Sequence, residues 1–199
     1  MVNDRETLRG RRVIVTGAST GIGEQIAYHY AKMGARILIT ARRENVLREV
    51  CYSKMLQLGA EEAHYISLDM GKMADTKKLI DFAWERFGGL DYLVLNHITS
   101  NYLELWDGQF ERLDEIYHVN FRSFVSLATY ALPMLRETRG SIVVMSSFAG
   151  KVGTPYSAAY SSSKFALIGF FESLRKEFMI KDTDISITVC IIGGISTEN

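Results

Sequence analysis

Length, composition and charge exclude several classes of protein. The chain has 199 residues, of which 47% are hydrophobic and 23% are charged, so it is large enough for one soluble globular domain with a sizeable core. The chain has 23 basic residues (Lys and Arg) and 23 acidic residues (Asp and Glu), so it has no excess of positive charge that would indicate nucleic-acid binding. No run reaches the roughly 18 apolar residues of a membrane-spanning helix, and the two cysteines have no metal-binding spacing.

Short apolar segments rich in β-branched residues alternate along the chain with longer segments of helical periodicity. Strands are predicted at 13–15, 36–39, 63–66, 92–95, 141–145 and 185–191, and helices at 22–33, 44–58, 73–87, 110–136 and 158–179. Strands that are apolar at nearly every position are buried on both faces, as in a parallel sheet covered by helices. The pattern predicts one α/β domain over residues 1–199, with a doubly wound parallel sheet of the Rossmann type.

A glycine-rich loop follows the first predicted strand. Its sequence, Thr-Gly-Ala-Ser-Thr-Gly-Ile-Gly at 16–23, leads directly into a helix. Glycines let a backbone approach a pyrophosphate closely, and the helix N-terminus supplies N–H donors and partial positive charge. The same residues would also suit a tight turn without a ligand. The order strand, loop, helix favours a dinucleotide site.

Two arginines follow the second predicted strand and bear on the choice of cofactor. A site that prefers NAD usually has an acidic residue there for the ribose 2′-hydroxyl, whereas this chain has Ala41, Arg42 and Arg43. A guanidinium can pair with a 2′-phosphate through two hydrogen bonds. The sequence therefore predicts NADP(H), although both arginines could instead be ordinary solvated surface charges.

A serine, a tyrosine and a lysine suggest acid–base chemistry. Tyr160 and Lys164 are four residues apart, on one face of a predicted helix, and Ser147 follows the fifth strand, at the sheet edge where ligands bind. Tyrosine titrates near 10, and a nearby ammonium lowers that value by favouring the phenolate. Ser147 could donate a hydrogen bond to a substrate oxygen as charge develops there. No metal site is predicted.

These motifs resemble the short-chain dehydrogenase/reductase family from Gly10 to the last residue. The resemblance implies Tyr160 as the acid/base, Lys164 as its partner, Ser147 as a substrate-oxygen donor and Asn120 as the anchor of a relay water, with Ser147 and Tyr160 binding substrate. The cofactor contacts that it implies are Gly17, Ser19, Thr20, Gly21, Ile22, Gly23, Arg42, Arg43, Asp69, Met70, Asn96, His97, Ile98, Tyr160, Lys164, Ile195 and Thr197.

The sequence departs from the family pattern at two places. Leu95-Asn96-His97-Ile98 replaces the usual Asn-Asn-Ala-Gly, and Ile192 stands where a proline commonly precedes the glycine. Together with segments 131–135 and 164–171, the first departure is similar to the 11β-hydroxysteroid dehydrogenase type 1 branch and its type 1-like relatives. That branch implies NADP(H), a steroid hydroxyl or ketone, a homodimer and the endoplasmic reticulum. The sequence alone predicts a soluble chain, with the cytoplasm as the alternative location.

The chain ends two residues after Thr197, where family members continue into a substrate-covering segment and a seventh strand. We therefore expect a sheet that stops at its sixth strand and a site without its lid. Three interpretations remain open at this stage. The protein could be a steroid-handling oxidoreductase, a reductase of another hydrophobic ketone, or an inactive dinucleotide-binding module. His97 could contribute to catalysis or could only shape the nicotinamide pocket.

Overall fold

A six-stranded parallel sheet forms the centre of the molecule. The computed structural model describes residues 8–99 and 103–194. The strands are β1 Arg12–Thr16, β2 Arg36–Ala41, β3 Glu62–Ser67, β4 Tyr92–Leu95, β5 Ser141–Ser147 and β6 Ser186–Ile192. Their spatial order is β3-β2-β1-β4-β5-β6, and every adjacent pair is parallel. The predicted doubly wound sheet is confirmed.

In the described part of the chain, a 3₁₀ turn, Phe148–Gly150, follows β5, and five longer helical segments connect the strands. Three are regular: α1 Gly21–Lys32, α3 Met73–Phe87 and α5 Ala158–Ile180. The other two, α2 over 44–58 and α4 over 110–138, were each predicted as one helix but contain a π-helical turn. The π turn of α2 is Glu49–Met55, between Glu44–Arg48 and Leu56–Leu58, and that of α4 is His118–Arg122, between Phe110–Tyr117 and Ser123–Thr138.

The helices cover both faces of the sheet and create two apolar cores. Alternate residues of β1 divide between them: Val13 and Val15 pack with α1 and α2, whereas Ile14 packs with α3, α4 and α5. All three side chains are fully buried. Burial on both faces explains why the central strands are apolar at successive positions.

A buried carboxylate fixes β4 beside β1. Asp91 precedes β4, and its Oδ2 accepts hydrogen bonds from the Arg12 backbone N–H at 2.9 Å and from Arg12 Nε at 2.7 Å. Arg11 Nη1 donates to Oδ1 at 3.1 Å. Burial opposes ionisation of Asp91, but these bonds outweigh it and hold its pKa below the ordinary value.

The order of the strands places a crevice at the carboxyl ends of β1 and β4. The chain moves outward from β1 through β2 to β3, and then returns to the other side of β1 as β4. Ligands of doubly wound sheets bind where the winding reverses in this way. Within the described ranges, no helix is long and apolar enough to cross a membrane.

Candidate active site

The glycine loop follows β1 at this crevice, and two of its glycines have no room for a side chain. Gly17 has a φ of 64°, and a Cβ there would lie 2.7 Å from the His97 Cα. A Cβ on Gly23 would lie 2.3 Å from the Gly17 carbonyl oxygen and 2.5 Å from Asn96 Nδ2. The backbone at the loop is therefore packed against the end of β4, which only glycine permits.

The N-terminus of α1 opens toward this loop. The first amides of an α-helix have no intrahelical acceptor, and the side chain of Thr20, the N-cap residue of α1, makes no capping hydrogen bond to them. Arg43 reaches over the loop from β2: its Nη2 donates to Thr20 Oγ1 at 3.0 Å and to Ser19 Oγ at 3.3 Å. Free amides and a guanidinium together form an anion-binding surface.

The other predicted cofactor residues differ in how their side chains are placed. Arg42 is exposed, and its carbonyl oxygen accepts from Ser67 Oγ at 3.0 Å. Asp69 Oδ1 accepts from the Gly71 N–H at 3.0 Å. The Met70 side chain is buried in the core, so a ligand could meet only its backbone. Ile195 and Thr197 lie outside the described residues.

The end of β4 is tied to β1 by side-chain hydrogen bonds. Asn96 Nδ2 donates to the carbonyl oxygens of Thr16 and Gly17, both at 3.2 Å, and the Asn96 N–H donates to Thr16 Oγ1 at 2.9 Å. His97 is buried beside Asn96, whereas Ile98 is half-exposed. The Asn96 side chain therefore stabilises the backbone where β1 leads into the glycine loop.

Tyr160 and Lys164 lie one turn apart on α5, as predicted. The Lys164 Nζ donates to the Met145 carbonyl oxygen at 2.9 Å and lies 5.7 Å from the centroid of the Tyr160 ring. It is also 5.7 Å from the Phe124 centroid, and only 2% of the lysine is exposed. Burial lowers the pKa of Lys164 to about 8.

Ser147 ends β5 next to α5. Ser146 Oγ donates to the Lys164 carbonyl oxygen at 3.3 Å, and a Cβ on Gly150 would lie 2.8 Å from that same oxygen. This close packing holds the end of β5 against the turn of α5 that carries Lys164. Ser147 Oγ accepts from the Ala149 N–H at 3.2 Å, so its own hydrogen remains free to be donated.

Asn120 lies in the π turn of α4 and is fully buried. Its Oδ1 accepts from the Thr99 N–H at 3.0 Å, and Thr99 Oγ1 donates to Glu115 Oε1 at 2.6 Å. Among buried side-chain atoms in the described part of the chain, Asn120 Nδ2 is the one with no hydrogen-bond partner. An unpaired buried donor is costly, which makes a bound water or ligand its natural partner. π turns often occur at functional sites.

The crevice has features that suit a dinucleotide. The glycine loop exposes its backbone, α1 presents free amides, and Arg43 adds a cation. Residues 11–199 match the sequence profile of the family described as short chain dehydrogenase. The chain belongs to this family. Its predicted family resemblance is therefore confirmed.

Curated relatives of this short-chain dehydrogenase include hydroxysteroid dehydrogenase-like proteins. The hydroxysteroid 11-beta-dehydrogenase 1-like protein of Danio rerio is 50% identical over 196 residues, which cover 98% of this chain and 68% of the relative. The protein of the same name from Gallus gallus is 51% identical over 193 residues, covering 97% of this chain and 67% of the relative.

Solved structures share the fold of this short-chain dehydrogenase. An alcohol dehydrogenase of Thermococcus sibiricus, complexed with 5-hydroxy-NADP, has a TM-score of 0.84 at 27% identity, covering 94% of this chain and 77% of that one. A metagenomic short-chain oxidoreductase in complex with NADP has a TM-score of 0.85 at 27% identity, with coverages of 94% and 84%. A Burkholderia phymatum member, in complex with NAD, has a TM-score of 0.89 at 22% identity, covering 96% and 68%, and supports the fold alone.

The structure adds residues to the crevice of this short-chain dehydrogenase that the sequence did not single out. Phe124 lies beneath Lys164, Thr99 holds Asn120, and Thr16 and Ser123 contact the two ring nitrogens of His97. Thr16 could have been noticed as the polar end of an apolar strand. The other three carry no local signal, because packing between distant segments brings them together.

Proposed function

We propose that this chain is an NADP(H)-dependent oxidoreductase that interconverts a hydroxyl and a ketone on a steroid-like substrate. The observation that carries the proposal is the buried Lys164 ammonium beside the Tyr160 ring, at the same sheet edge as the glycine loop. The substrate class follows the names of the relatives that are about half identical to this chain. Residues 1–199 would act as a single cofactor-binding domain.

The residues that would hold NADP(H) are those of the glycine loop, the α1 N-terminus, Arg42 and Arg43. Arg43 supports the preference for a 2′-phosphate because its guanidinium lies over the loop, bonded to Thr20. Asp69, Met70, Asn96, His97 and Ile98, with Ile195 and Thr197, would complete the adenine and nicotinamide sides. When bound, NADP(H) would supply the hydride chemistry at the carbonyl or alcohol carbon, and these residues would hold and orient it.

The chain's own residues would handle the proton and the developing negative charge. In reduction, Tyr160 Oη donates its proton to the carbonyl oxygen, and in oxidation it takes that proton back. Ser147 Oγ donates a hydrogen bond to the same oxygen with the hydrogen that Ala149 leaves free. The Lys164 ammonium, whose Nζ lies 5.7 Å from the centroid of the Tyr160 ring, would stabilise negative charge that develops at this part of the site.

Lys164 and Asn120 would also supply a route for the proton to solvent. Among the described residues, Met145 accepts one hydrogen of the Lys164 ammonium, so two hydrogens remain for a ribose hydroxyl and a water. The unpaired Asn120 Nδ2 suits the binding of such a water. These assignments explain why a lysine and an asparagine are buried here with unused hydrogen-bonding capacity.

The family resemblance supports two further parts of the proposal, the location and the assembly. We propose the endoplasmic reticulum as the location and a homodimer as the assembly, both from the resemblance to the hydroxysteroid dehydrogenase branch. The exposed Tyr130 of α4 and Phe165 of α5 are 44% and 45% accessible, and they would pack between subunits.

The deciding experiment follows NADPH absorbance with a panel of 11-keto steroids and unrelated hydrophobic ketones. Tyr160→Phe should abolish turnover because the phenol hydrogen is lost, while the Kd for NADPH stays within about threefold of the parent. Tyr156→Phe is the matched control, since Tyr156 is exposed and lies in the turn just before α5. The assay is run on this chain and on one extended to the length of its relatives.

Each result separates the interpretations. Turnover of steroid ketones alone supports the proposal, and equal turnover of unrelated ketones replaces the substrate class. Tight NADPH binding without any turnover identifies a dinucleotide-binding module. A Tyr160→Phe variant that works at the parent rate contradicts the proposed mechanism.

A further inference from the structure

A buried histidine joins three elements around the crevice. His97, at the end of β4, is only 7% exposed. Its Nδ1 is 2.8 Å from Thr16 Oγ1, at the end of β1, and its Nε2 is 2.6 Å from Ser123 Oγ, in α4. Both ring nitrogens are therefore used inside the protein.

The hydrogens of the two hydroxyl groups determine the tautomer of this ring. Ser123 Oγ has one hydrogen and donates it to the Val119 carbonyl oxygen at 2.6 Å, so it can only accept from His97 Nε2, also at 2.6 Å, which places a hydrogen on Nε2. In a neutral ring Nδ1 is then an acceptor. The Thr16 hydroxyl hydrogen is available to Nδ1 at 2.8 Å as well as to the Val94 carbonyl oxygen at 3.2 Å.

The surroundings keep the ring uncharged. Burial, and then the nearby Lys164 ammonium, lower the pKa of His97 to about 3. Both groups border Phe124: its ring centroid is 4.5 Å from that of His97 and 5.7 Å from Lys164 Nζ. The imidazole thus occupies the space beside the lysine without adding a second charge.

These hydrogen bonds are not needed to satisfy buried polar groups. Without the imidazole, Thr16 Oγ1 would still donate to Val94 and Ser123 Oγ would donate to Val119. Removal of the two hydrogen bonds to His97 therefore leaves neither hydroxyl without an acceptor, and it should lower the free energy of unfolding only slightly. What would be lost is the link between the elements.

The linked elements are those that carry the site. The His97 Cα lies against Gly17 of the glycine loop, where a Cβ would be 2.7 Å away. Ser123 is three residues after Asn120, directly following the π turn. We propose that His97 is a positioning residue, whose neutral ring fixes the distance between the glycine loop and the helix that carries Asn120. This inference rests on the proposed function of the site.

The test combines three substitutions with a measurement that does not depend on activity. His97→Phe keeps a ring against Phe124 but removes both hydrogen bonds, His97→Gln can still reach Ser123, and His97→Asn can reach only Thr16. His29→Phe is the matched control, because His29 is exposed on α1. Long-range proton–nitrogen spectra of the histidines, assigned by loss of the His97 signals in His97→Phe, report the tautomer.

We expect His97→Phe to lower kcat about tenfold or more while the Kd for NADPH changes by less than about threefold, since the hydride donor and the proton donor lose alignment. His97→Gln should recover most of kcat and His97→Asn little. If His97 had only a structural role, kcat would instead follow the melting temperature across the series. The ring should carry its hydrogen on Nε2 and stay neutral from pH 8 to about pH 5.

Contrary results are distinguishable from failure of the proposed function. If the parent turns over and His97→Phe keeps its kcat, or His97→Gln is no better than His97→Phe, the positioning role is wrong. A neutral ring that carries its hydrogen on Nδ1, or a ring that is charged at pH 6, overturns the inference even in a preparation without turnover. Absence of turnover in the parent, with the expected tautomer present, contradicts the proposed function instead.

Discussion

At the scale of single residues, the site places an amine where folding disfavours its charge. Lys164 is almost completely buried, with one carbonyl acceptor and two aromatic rings around its Nζ. Below pH 8 the amine is protonated in both the folded and the unfolded chain, and the folded state bears the full cost. The fall in its pKa from 10.5 to about 8 corresponds to roughly 3 kcal/mol.

Replacement of Lys164 by Met should therefore stabilise the protein while removing its activity. After subtraction of about 1 kcal/mol for the lost hydrogen bond to Met145, we expect a free energy of unfolding at pH 7 that is about 1–2 kcal/mol higher. The gain should fade between about pH 8 and 10.5, where the folded amine loses its proton before the unfolded one.

Urea unfolding at pH 7 and pH 10 measures this difference, with Lys176→Met as the control because Lys176 is exposed on the same helix. The prediction would be contradicted by a variant whose free energy of unfolding is lower than that of the parent at pH 7 and is not lower at pH 10.

Some site residues could be predicted from the sequence because their spacing is local. Tyr160 and Lys164 share a helix face, and Ser147 follows a recognisable strand. The surroundings of His97 could not be predicted from the sequence, because Thr16 is 81 residues away along the chain and Ser123 is 26 residues away. For the same reason, the burial of the Met70 side chain in the core could not be predicted from local sequence. The catalytic and binding roles stay predictions.

At the scale of elements, the positions of strands and helices could be predicted from the apolar pattern, whereas the π turns within two of the helices could not. The predicted bounds of α3 and β4 match those observed, and most others differ by one or two residues. The π turns of α2 and α4 were missed because apolar periodicity indicates which face of a helical segment is buried and does not distinguish i→i+5 from i→i+4 backbone hydrogen bonds. One of these turns carries Asn120, so the missed detail bears on the site.

The carboxylate between β1 and β4 gives a prediction at this scale. Asp91→Asn should lower the free energy of unfolding at pH 7 by about 2–3 kcal/mol, because Arg12 loses its charged acceptor in a buried setting. The pKa of Asp91 is held low in the folded state, so its contribution is complete above the ordinary carboxyl pKa. It should disappear as the pH falls through the lowered value.

Chemical denaturation at pH 7 and pH 3 measures the difference between variant and parent. Asp81→Asn is the control, since its ion pair with Lys77 is exposed on α3. A difference for Asp91→Asn as small as that of the control would show that the arginines do not hold β1 and β4 together.

At the scale of the whole molecule, the reversal of winding beside β1 brings distant segments to one crevice. The glycine loop, Arg43, and Asn96 with the turn around Asn120 come from three separate connections of the sheet. A dinucleotide bound there would contact segments from most of the chain, so its binding should stabilise the entire domain.

We expect NADPH at about one hundred times its Kd to raise the melting temperature by roughly 5–10 °C. NADH at the same concentration should raise it less, because its affinity should be lower by about tenfold or more without the 2′-phosphate. Arg43→Ala should reduce the rise in melting temperature caused by NADPH to that caused by NADH. The same measurement on Arg42→Ala shows how much of the preference each arginine contributes. Arg48→Ala, which removes an exposed charge nearby, is the control. Equal shifts for both dinucleotides in the parent would contradict the cofactor preference.

The tight contact at Gly23 has a consequence for how this chain can vary. Every other amino acid starts with a Cβ, and at this position that single atom already overlaps the Gly17 carbonyl oxygen at 2.3 Å. All nineteen missense changes at this codon therefore meet the same obstacle, whatever their size or polarity. Gly153, where a Cβ would meet nothing within 4 Å, admits a graded range of replacements. Position 23 should therefore reject every substitution, whereas at position 153 the effect of a substitution should vary gradually with the replacing side chain.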